Sequence, residues 1–247
     1  MNAGWKFAAL GGLGGALLAY ALVFVTSNMG WMPVSGPAVH RYLLDHPEVM
    51  VEMVQALQAK DAQKEADTRQ AAVDKLGMKA FLDPRVAYVT GPANAKNTVV
   101  EFFDYNCPFC RASTPAMKKF YAAHKNDTRF AFIEYPFKGP ESVIAARAAI
   151  AARKQPGKYV GFHFLLMEGD EITSDESVMA AAQKAGLDIA KLKTDMQDSS
   201  IDLEIARAHT LGDAAKVTGT PTFIINGKAR DGQIDDKKLD AMVKGET

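Results

Sequence analysis

The chain has 247 residues, of which 48% are hydrophobic and 23% are charged, and its 29 basic and 29 acidic residues give a formal net charge of zero. This length and composition are sufficient for one globular domain with a full core, together with additional segments. Because the charges balance, the composition gives no indication of nucleic acid or of an acidic substrate, and no nucleic-acid-binding function is expected.

The N-terminal segment differs sharply from the rest of the chain. Phe7–Val25 is a run of 19 residues without a charged side chain, directly after Lys6. Its length is close to the roughly 20 residues that a helix needs to cross a bilayer. Residues 1–30 are therefore predicted to be a transmembrane anchor, with a cleaved signal segment as the alternative. Both put the bulk of the protein in the periplasm, and the anchor implies attachment to the inner membrane.

Residues 31–80 are predicted to form a linker followed by a helical segment. Apolar residues recur at helical spacing from Ala38 to about Gly77, but the segment turns polar beyond Leu57. Pro47 is typical of a first helical turn or of a break between two short helices. We expect an oligomerisation stalk here, and the alternative is an amphipathic helix that folds back on the following domain.

Residues 81–247 carry alternating strand and helix patterns. Strands are predicted at 85–90, 98–104, 129–136, 222–226 and 228–232, and helices at 108–126, within 139–218 and at 235–244. This order predicts an α/β domain with a thioredoxin topology and an all-helical insertion at about 139–218.

The only two cysteines, Cys107 and Cys110, follow directly after an apolar strand. With no other cysteine there is no framework of structural disulfides for this pair to join, so the spacing favours thiol–disulfide exchange. A zinc site needs four ligands, and the chain has no second pair. A c-type haem needs a histidine where Arg111 stands. An inert structural disulfide is a further alternative, although it closes a very small loop.

Cys107 lies where the strand gives way to a helix. Asn106 is predicted to be the N-cap and Pro108 the first helical residue. Unpaired N–H groups at the positive end of the helix favour a thiolate at Cys107 and lower its pKa. Cys110 falls one turn further along, on the same helix face and deeper in the domain. Cys107 is therefore the predicted nucleophile and Cys110 the resolving thiol.

Two further features favour exchange chemistry. Glu101 interrupts the apolar strand on the side of Phe103, where a buried carboxyl with a raised pKa can shuttle the proton of Cys110. The alternative is a solvent-facing glutamate at a sheet edge. Thr220-Pro221 precedes the last central strand, and a cis proline there presents the Thr220 backbone to an extended substrate. Alone, Thr-Pro is an ordinary turn signal.

The histidines do not indicate a site. They are scattered, and none has the spacing of a metal site or of a catalytic dyad. We expect all of them at the surface or at helix ends. The five histidines are His40, His46, His124, His163 and His209.

Three motifs between residues 99 and 226 together resemble those of the DsbA family of extracytoplasmic thiol–disulfide oxidoreductases. The resemblance implies a thioredoxin fold with a helical insert, a redox-active disulfide of Cys107 and Cys110 without another cofactor, and a cis-Pro loop at Thr220-Pro221. The motifs are Glu101-Phe102-Phe103 with Cys107-Pro108-Phe109-Cys110, the run Glu134-Tyr135-Pro136-Phe137 with Gly139, Pro140 and Ser142, and Val217-Thr218-Gly219-Thr220-Pro221-Thr222-Phe223.

A narrower resemblance lies upstream. The segment 42–49, followed by an apolar helix, is similar to the N-terminal segment of the ScsC/Com1-like branch of this family. Members of that branch can trimerise through such a segment and act as disulfide isomerases, and some are tied to copper tolerance. The resemblance implies a homo-oligomer such as a trimer.

The chain departs from typical DsbA oxidases at Phe109, where those enzymes have histidine. An imidazole helps to hold the thiolate and phenylalanine does not, so we expect a less depressed pKa of Cys107 and a weaker oxidant. Thr220 before the cis proline resembles isomerase and reductase members.

The predicted function is an extracytoplasmic thiol–disulfide oxidoreductase that forms or rearranges disulfides in exported proteins. Its expected partners are unfolded or misoxidised exported proteins and a membrane protein that re-oxidises or reduces the cysteine pair. The alternatives are an oligomeric disulfide isomerase or reductase that is kept reduced, and a thioredoxin-like chaperone or copper-binding module whose thiols hold metal.

Overall fold

The computed structural model describes residues 36–246. The chain divides into two compact units, of which the first ends at Asp61 and the second begins at Ala62. Within the described range, no helix combines the length and the apolar composition needed to cross a membrane. The predicted anchor at Phe7–Val25 lies outside the described residues.

The first described elements are two helices separated at His46-Pro47. Helix α1 spans Gly36–Asp45 and helix α2 spans Glu48–Leu76. The break agrees with the second of the two roles predicted for Pro47, because proline disfavours a helical conformation in the residue before it. No residue of α1 is buried, and the buried residues of α2 are Arg69 and Val73. The last turns of α2 belong to the second unit and are folded back on it. For these turns the structure agrees with the alternative to the stalk, which was a helix folded back on the following domain.

The second unit is built on a five-stranded sheet. The strands are β1 (Tyr88–Thr90), β2 (Asn97–Phe103), β3 (Thr128–Glu134), β4 (Thr222–Ile225) and β5 (Lys228–Asp231). Their spatial order is β1-β3-β2-β4-β5, and β2 and β3 pair in parallel while the other neighbours are antiparallel.

Helices complete this unit in the order that the sequence predicted. After the short α3 (Met78–Phe81) come α4 (Pro108–His124), the insertion helices α5 (Pro140–Ala152), α6 (Tyr159–Glu168), α7 (Asp175–Lys184), α8 (Ile189–Asp195) and α9 (Ser200–Ala214), and finally α10 (Asp236–Lys244). The thioredoxin topology with an all-helical insertion between β3 and β4 is confirmed.

The two faces of the sheet are buried by different elements. One face, called here the apolar face, carries Val100, Phe102, Ala131 and Ile133 and packs against the end of α2, α3 and α9. The other, called here the polar face, carries Phe103 and Phe132 together with two carboxylates, and packs against α4, α10 and the insertion. Successive strand residues point to opposite faces, so each strand contributes to both.

Candidate active site

The two cysteines lie at the start of α4, directly behind the end of β2. Cys107 is the N-cap of the helix. Pro108 is the first helical residue, as predicted. Both cysteines are buried thiols. The Cys107 thiol donates a hydrogen bond to the backbone carbonyl oxygen of Thr220, with 3.1 Å between Sγ and O.

The two thiols have opposite acidities. The pKa of Cys107 is lowered to about 5, chiefly because the Cys110 thiol donates a hydrogen bond to its sulfur, and burial only partly offsets this. The backbone N–H groups of Phe109 and Cys110 act in the same direction. Burial raises the pKa of Cys110, and the hydrogen bond to Cys107 and the nearby Glu101 raise it further. The site therefore favours a thiolate at Cys107 and a protonated thiol at Cys110.

The prediction that Asn106 caps α4 is wrong. The N-cap position falls on Cys107, and no side chain caps the helix there. The Asn106 amide instead bonds the backbone of Ile172, donating from Nδ2 to the carbonyl at 2.9 Å and accepting at Oδ1 from the N–H at 2.8 Å. The side chain thus ties the active-site loop, residues 104–107 between β2 and α4, to the loop between α6 and α7.

Arg111 strengthens the same connection. Its Nε donates to the carbonyl of Tyr105 at 2.8 Å, within the loop that precedes Cys107. Its terminal nitrogens donate to the carbonyls of Gly169 and Asp170 at 2.5 and 2.8 Å, beyond the end of α6. One guanidinium therefore joins two loops by backbone contacts that do not depend on the neighbouring side chains.

Asp104 also holds the active-site loop in place, through hydrogen bonds that its side chain accepts. Its buried carboxylate accepts hydrogen bonds from the Asn106 N–H and the Ser142 hydroxyl, both at 2.7 Å, and from the N–H groups of Phe137 and Lys138 at 2.7 and 2.9 Å. Four donors satisfy the carboxylate without a cation. Asp104 was not predicted from the sequence, although an aspartate that ends an apolar strand directly before Cys-x-x-Cys is a usable signal.

Glu101 lies on the polar face beneath the start of α4 and is 4% exposed. The solvent-facing alternative for this residue is therefore wrong. Burial raises its pKa to about 8, and the charges of Glu134 and Cys107 act in the same direction. A carboxyl with this pKa exchanges its proton near neutral pH, which suits a proton relay.

A second buried carboxylate, Glu134, accompanies Glu101 on the polar face. The register pairs Glu134 with Phe103 and Glu101 with Phe132, so the two carboxylates lie diagonally on neighbouring strands. The distance across such a diagonal is roughly 8 Å. At this separation in a dry core, a negative charge on one carboxylate disfavours a negative charge on the other.

Glu134 is held by three side chains. Its Oε1 accepts hydrogen bonds from the Tyr159 and Tyr105 hydroxyls at 2.8 and 3.3 Å, and Arg153 Nη2 lies 3.7 Å away. Burial raises the pKa of Glu134 to about 8, while Arg153 and the Tyr159 hydroxyl oppose the rise. Tyr105 also belongs to the active-site loop, so the cluster lies directly behind the cysteines.

His163 belongs to this cluster, and the expected surface position is wrong for this histidine. It is buried, its Nδ1 lies 3.2 Å from the Tyr105 hydroxyl, and its ring packs against Phe103 and Phe132. Burial lowers its pKa to about 3, with a smaller contribution from Arg153, so the imidazole is neutral. Its position within the apolar run of α6 was the signal for burial.

The loop between α9 and β4, residues 215–221, is called here the cis-proline loop. The Thr220-Pro221 peptide bond is cis, as predicted. Pro108 and Phe109, which directly follow Cys107 in the chain, are exposed, and 59% of Phe109 is accessible. In the part of the chain that the structure describes, no three or more His, Cys, Asp or Glu side chains are grouped to hold a metal ion.

A dithiol at a helix start, beside a cis-proline loop and behind the central parallel strands, is the arrangement of the thioredoxin fold. The thioredoxin family model matches residues 84–245, and the chain belongs to this family. The model for the copper resistance protein ScsC N-terminal domain matches residues 36–64. The first match agrees with the thioredoxin-like domain that the resemblance to the DsbA family implied, and the second confirms the predicted resemblance to its ScsC-like branch.

Sequence comparison identifies a transporter among the similar proteins. The chain is 30% identical over 164 residues to Na(+)/H(+) antiporter NhaA 3 of Salinispora tropica. The alignment covers 66% of this chain and 25% of the antiporter, so the chain spans about a quarter of the length of that curated relative.

Two solved structures are similar along nearly their whole length. A thioredoxin-like oxidoreductase from Silicibacter pomeroyi is 36% identical, with a TM-score of 0.62, and the match covers 67% of this chain and 94% of the other. A periplasmic thioredoxin-like protein from Salmonella enterica serovar Typhimurium is 30% identical, with a TM-score of 0.62, and the match covers 68% of this chain and 94% of the other.

Proposed function

We propose that this protein is a thiol–disulfide oxidoreductase that acts on exported proteins through Cys107 and Cys110. The observation that carries the proposal is the pair of opposed acidities, with the pKa of Cys107 lowered to about 5 and the pKa of Cys110 raised. Exchange needs a thiolate that attacks and a thiol that attacks later. The similarity to a thioredoxin-like oxidoreductase supports the same activity.

The first chemical step uses Cys107. Its thiolate attacks one sulfur of a substrate disulfide, a mixed disulfide forms, and the second substrate sulfur leaves as a thiolate that takes a proton from solvent. The Thr220 carbonyl lies 3.1 Å from Cys107 Sγ, so the substrate chain joined to this sulfur passes beside the cis-proline loop.

The second step uses Cys110 and Glu101. The carboxylate of Glu101 takes the Cys110 proton, the new thiolate attacks Cys107 Sγ, and the substrate sulfur leaves. Reduction of the substrate is balanced by oxidation of the pair to a disulfide. The reverse sequence oxidises a substrate dithiol and returns the protein to the dithiol form. Pro108 and Phe109 support the site as the first helical residue and as an exposed apolar side chain beside Cys107.

Insulin reduction and refolding of scrambled ribonuclease test the activity. We expect Cys107→Ala to abolish both reactions, because burial raises the pKa of the Cys110 thiol and keeps it protonated, so that it does not attack substrate in place of Cys107. Cys110→Ala is the matched control, and we expect it to attack substrate but to accumulate the mixed disulfide. Full activity of Cys107→Ala would exclude the mechanism and favour a chaperone or copper-binding module.

An oligomeric isomerase is the second candidate function. It is favoured by an unpaired row of apolar side chains on α1 and the first part of α2, each 41–67% exposed. Apolar surface of this extent indicates an association site, and the match to an ScsC N-terminal domain supports it. The row comprises Val39, Tyr42, Leu44, Met50, Val51, Met53, Val54 and Leu57.

Oligomeric state and redox state together separate oxidase from isomerase. A trimer in sedimentation experiments on protein lacking residues 1–30, with Cys107 and Cys110 mostly reduced in cells, supports the isomerase. A monomer with a mostly oxidised pair supports an oxidase that a membrane partner re-oxidises.

We further propose that the protein is periplasmic and is anchored in the inner membrane by Phe7–Val25. The similarity to a periplasmic thioredoxin-like protein supports the location, and the uncharged run of 19 residues supports the anchor. N-terminal sequencing of the mature protein tests the anchor, since a start beyond residue 25 shows cleavage. Digestion by protease added to spheroplasts tests the location.

A further inference from the structure

Arg69 lies outside both regions that the family models match, between the segment 36–64 and the segment 84–245. It belongs to the last turns of α2 and is 4% exposed, which is unusual for arginine unless the charge is paired. Its partners explain the burial, and they are parts of the cis-proline loop and of β5.

The Arg69 guanidinium makes three contacts in different directions. Nε donates to the backbone carbonyl of Lys216 at 3.0 Å, Nη2 donates to the Thr218 hydroxyl at 3.4 Å, and Nη1 lies 2.5 Å from Asp231 Oδ2. The first two partners belong to the cis-proline loop and the third to β5. Only the fork of a guanidinium reaches all three from one helix position, since an ammonium is a single point of charge.

Asp231 extends this network toward the active site. Its Oδ1 lies 2.8 Å from the Thr222 hydroxyl, which is also 2.9 Å from the carbonyl of Gly219. These contacts thus hold the cis-proline loop before Thr220 and the start of β4 after it. Thr220 itself is the residue whose carbonyl accepts the hydrogen bond from Cys107.

We propose that Arg69 is a positioning residue for thiol exchange, holding the cis-proline loop so that Thr220 lies against Cys107. The inference rests on the proposed function. A substrate joined to Cys107 lies beside Thr220, and its placement depends on where the loop is held. A small displacement of such a positioning element lowers the rate of a reaction whose groups must meet in one geometry.

The neighbouring residue Gln70 provides a matched control. Its Nε2 donates to the Gly227 carbonyl at 2.8 Å, and its Oε1 accepts from the Ala229 N–H at 3.0 Å. It therefore fastens the same turn of α2 to the β4–β5 hairpin and not to the cis-proline loop. If Arg69 only docked the helix, loss of either side chain would have the same consequences.

The test compares Arg69→Lys and Gln70→Ala in the full chain. Lysine keeps a positive charge for Asp231 but not the bonds to Lys216 and Thr218, so the variant is expected to fold. We expect Arg69→Lys to lower kcat/KM for an extended peptide disulfide by about tenfold. With 2-hydroxyethyl disulfide, which has no peptide backbone to pair with the loop, we expect less than about a twofold loss, and Gln70→Ala is expected to change neither rate.

Amide hydrogen exchange measures the protection of the backbone N–H groups of the loop and does not depend on activity. We expect faster exchange at residues 216–220 in Arg69→Lys, and at 227–229 in Gln70→Ala. Equal rate losses in the two variants, equal losses with the two disulfides, or unchanged exchange at 216–220 would overturn the inference. Absence of exchange activity in the wild-type protein would overturn the proposed function instead, and the amide data would still show whether Arg69 holds the loop.

Discussion

The two faces of the sheet are equally buried but chemically different. The apolar face is filled by hydrocarbon side chains such as Phe102 and Ile133. The polar face buries Glu101, Glu134 and His163 among its aromatic rings. Each strand supplies both faces. Two adjacent residues of β2 therefore differ in role, because one packs in the apolar face and the next lies beside the cysteines.

This difference shows that the unfavourable free energy of burying ionisable groups arises on the polar face. Burial of a carboxyl or an imidazole is unfavourable unless the group is neutral or paired. All three groups on the polar face have pKa values shifted toward their neutral forms by burial. The apolar face stabilises the domain without titrating, and the polar face makes both stability and reactivity depend on pH.

The largest expected effect comes from removing one phenylalanine from either face. Phe102 and Phe103 are adjacent and fully buried, so Phe102→Ala and Phe103→Ala should each cost about 3–5 kcal/mol in urea unfolding. Only Phe103→Ala should change the pH dependence of exchange, because its ring lies 5.3 Å from Tyr105 and 4.7 Å from His163. An equal change in the pH profile of Phe102→Ala would remove the distinction between the faces.

The next effect is acid lability caused by His163. Its folded-state pKa is about 3, against an ordinary value of 6.5, so the unfolded chain takes up a proton as the pH falls below 6.5 and the folded protein does not. The stability that neutral His163 provides above pH 6.5 is therefore lost on acidification, by about 2–3 kcal/mol at about pH 4.5, while Glu101 and Glu134 contribute in the opposite direction. Urea unfolding at both pH values should show this loss greatly reduced in His163→Gln.

The exposed His124 provides the control for that measurement. Its side chain is 41% accessible, so His124→Gln should keep the acid lability of the wild type. If both variants lost it, or neither did, the imidazole on the polar face would not be its source.

A smaller effect is expected in the second step of exchange. Glu101→Gln should slow the release of a mixed disulfide at Cys107 by at least about tenfold, since the amide cannot accept the Cys110 proton. The wild-type rate should rise with pH through about 8 as Glu101 ionises, and the variant should lack this rise. Rapid-quench measurement of mixed-disulfide decay checks both, and a retained rise would assign it to another group.

The pH dependence of stability that Glu101 causes should be opposite in sign to the one that His163 causes. The folded-state pKa of Glu101 is raised, so the unfolded chain ionises above its usual pKa near 4.5 while the folded protein stays neutral up to about pH 8. Stability is therefore lost as the pH rises across this window. Glu101→Gln should remove the part of this loss that Glu101 causes and leave the part that Glu134 causes, and urea unfolding at pH 5 and 8 tests it.

The smallest expected effect is that of Glu134→Gln on the neighbouring carboxylate. The charge of Glu134 helps to raise the pKa of Glu101, so its removal should move the rise in the rate of mixed-disulfide decay below pH 8, by less than about one pH unit. Glutamine still accepts from Tyr105 and Tyr159. An unchanged midpoint of this rise would show that Glu134 is neutral across this pH range and has no charge effect on Glu101.

Much of the fold was predictable because periodicity and turn chemistry agreed. The apolar runs of β2, β3 and β4 were recognised, and their bounds differ from the prediction by one or two residues. The cysteines, Glu101 and the cis-Pro loop were recognised because each interrupts a regular pattern at a place where the fold has few other uses for it.

The residues that were missed are those whose partners lie far away in the chain. His163 bonds Tyr105 across 58 positions and Arg69 bonds Lys216 across 147. Local spacing carries no information about such pairs. Asp104 and Glu134 were exceptions. Asp104 ends an apolar strand directly before the cysteine motif, and alternation along β3 puts Glu134 on the same face as Phe132, so its burial was deducible in the way that was used for Glu101.

The contacts of Asn106 and Arg111 with the loop between α6 and α7 bear on how this domain can be reduced in size. An insertion is often regarded as an appendage that a parent fold can lose. Here its removal would take away the amide partner of Asn106 and the carbonyls that receive Arg111. A minimal thioredoxin cut from this chain would keep its cysteines but leave their loop unsupported, so the insertion belongs to the smallest unit that engineering can preserve.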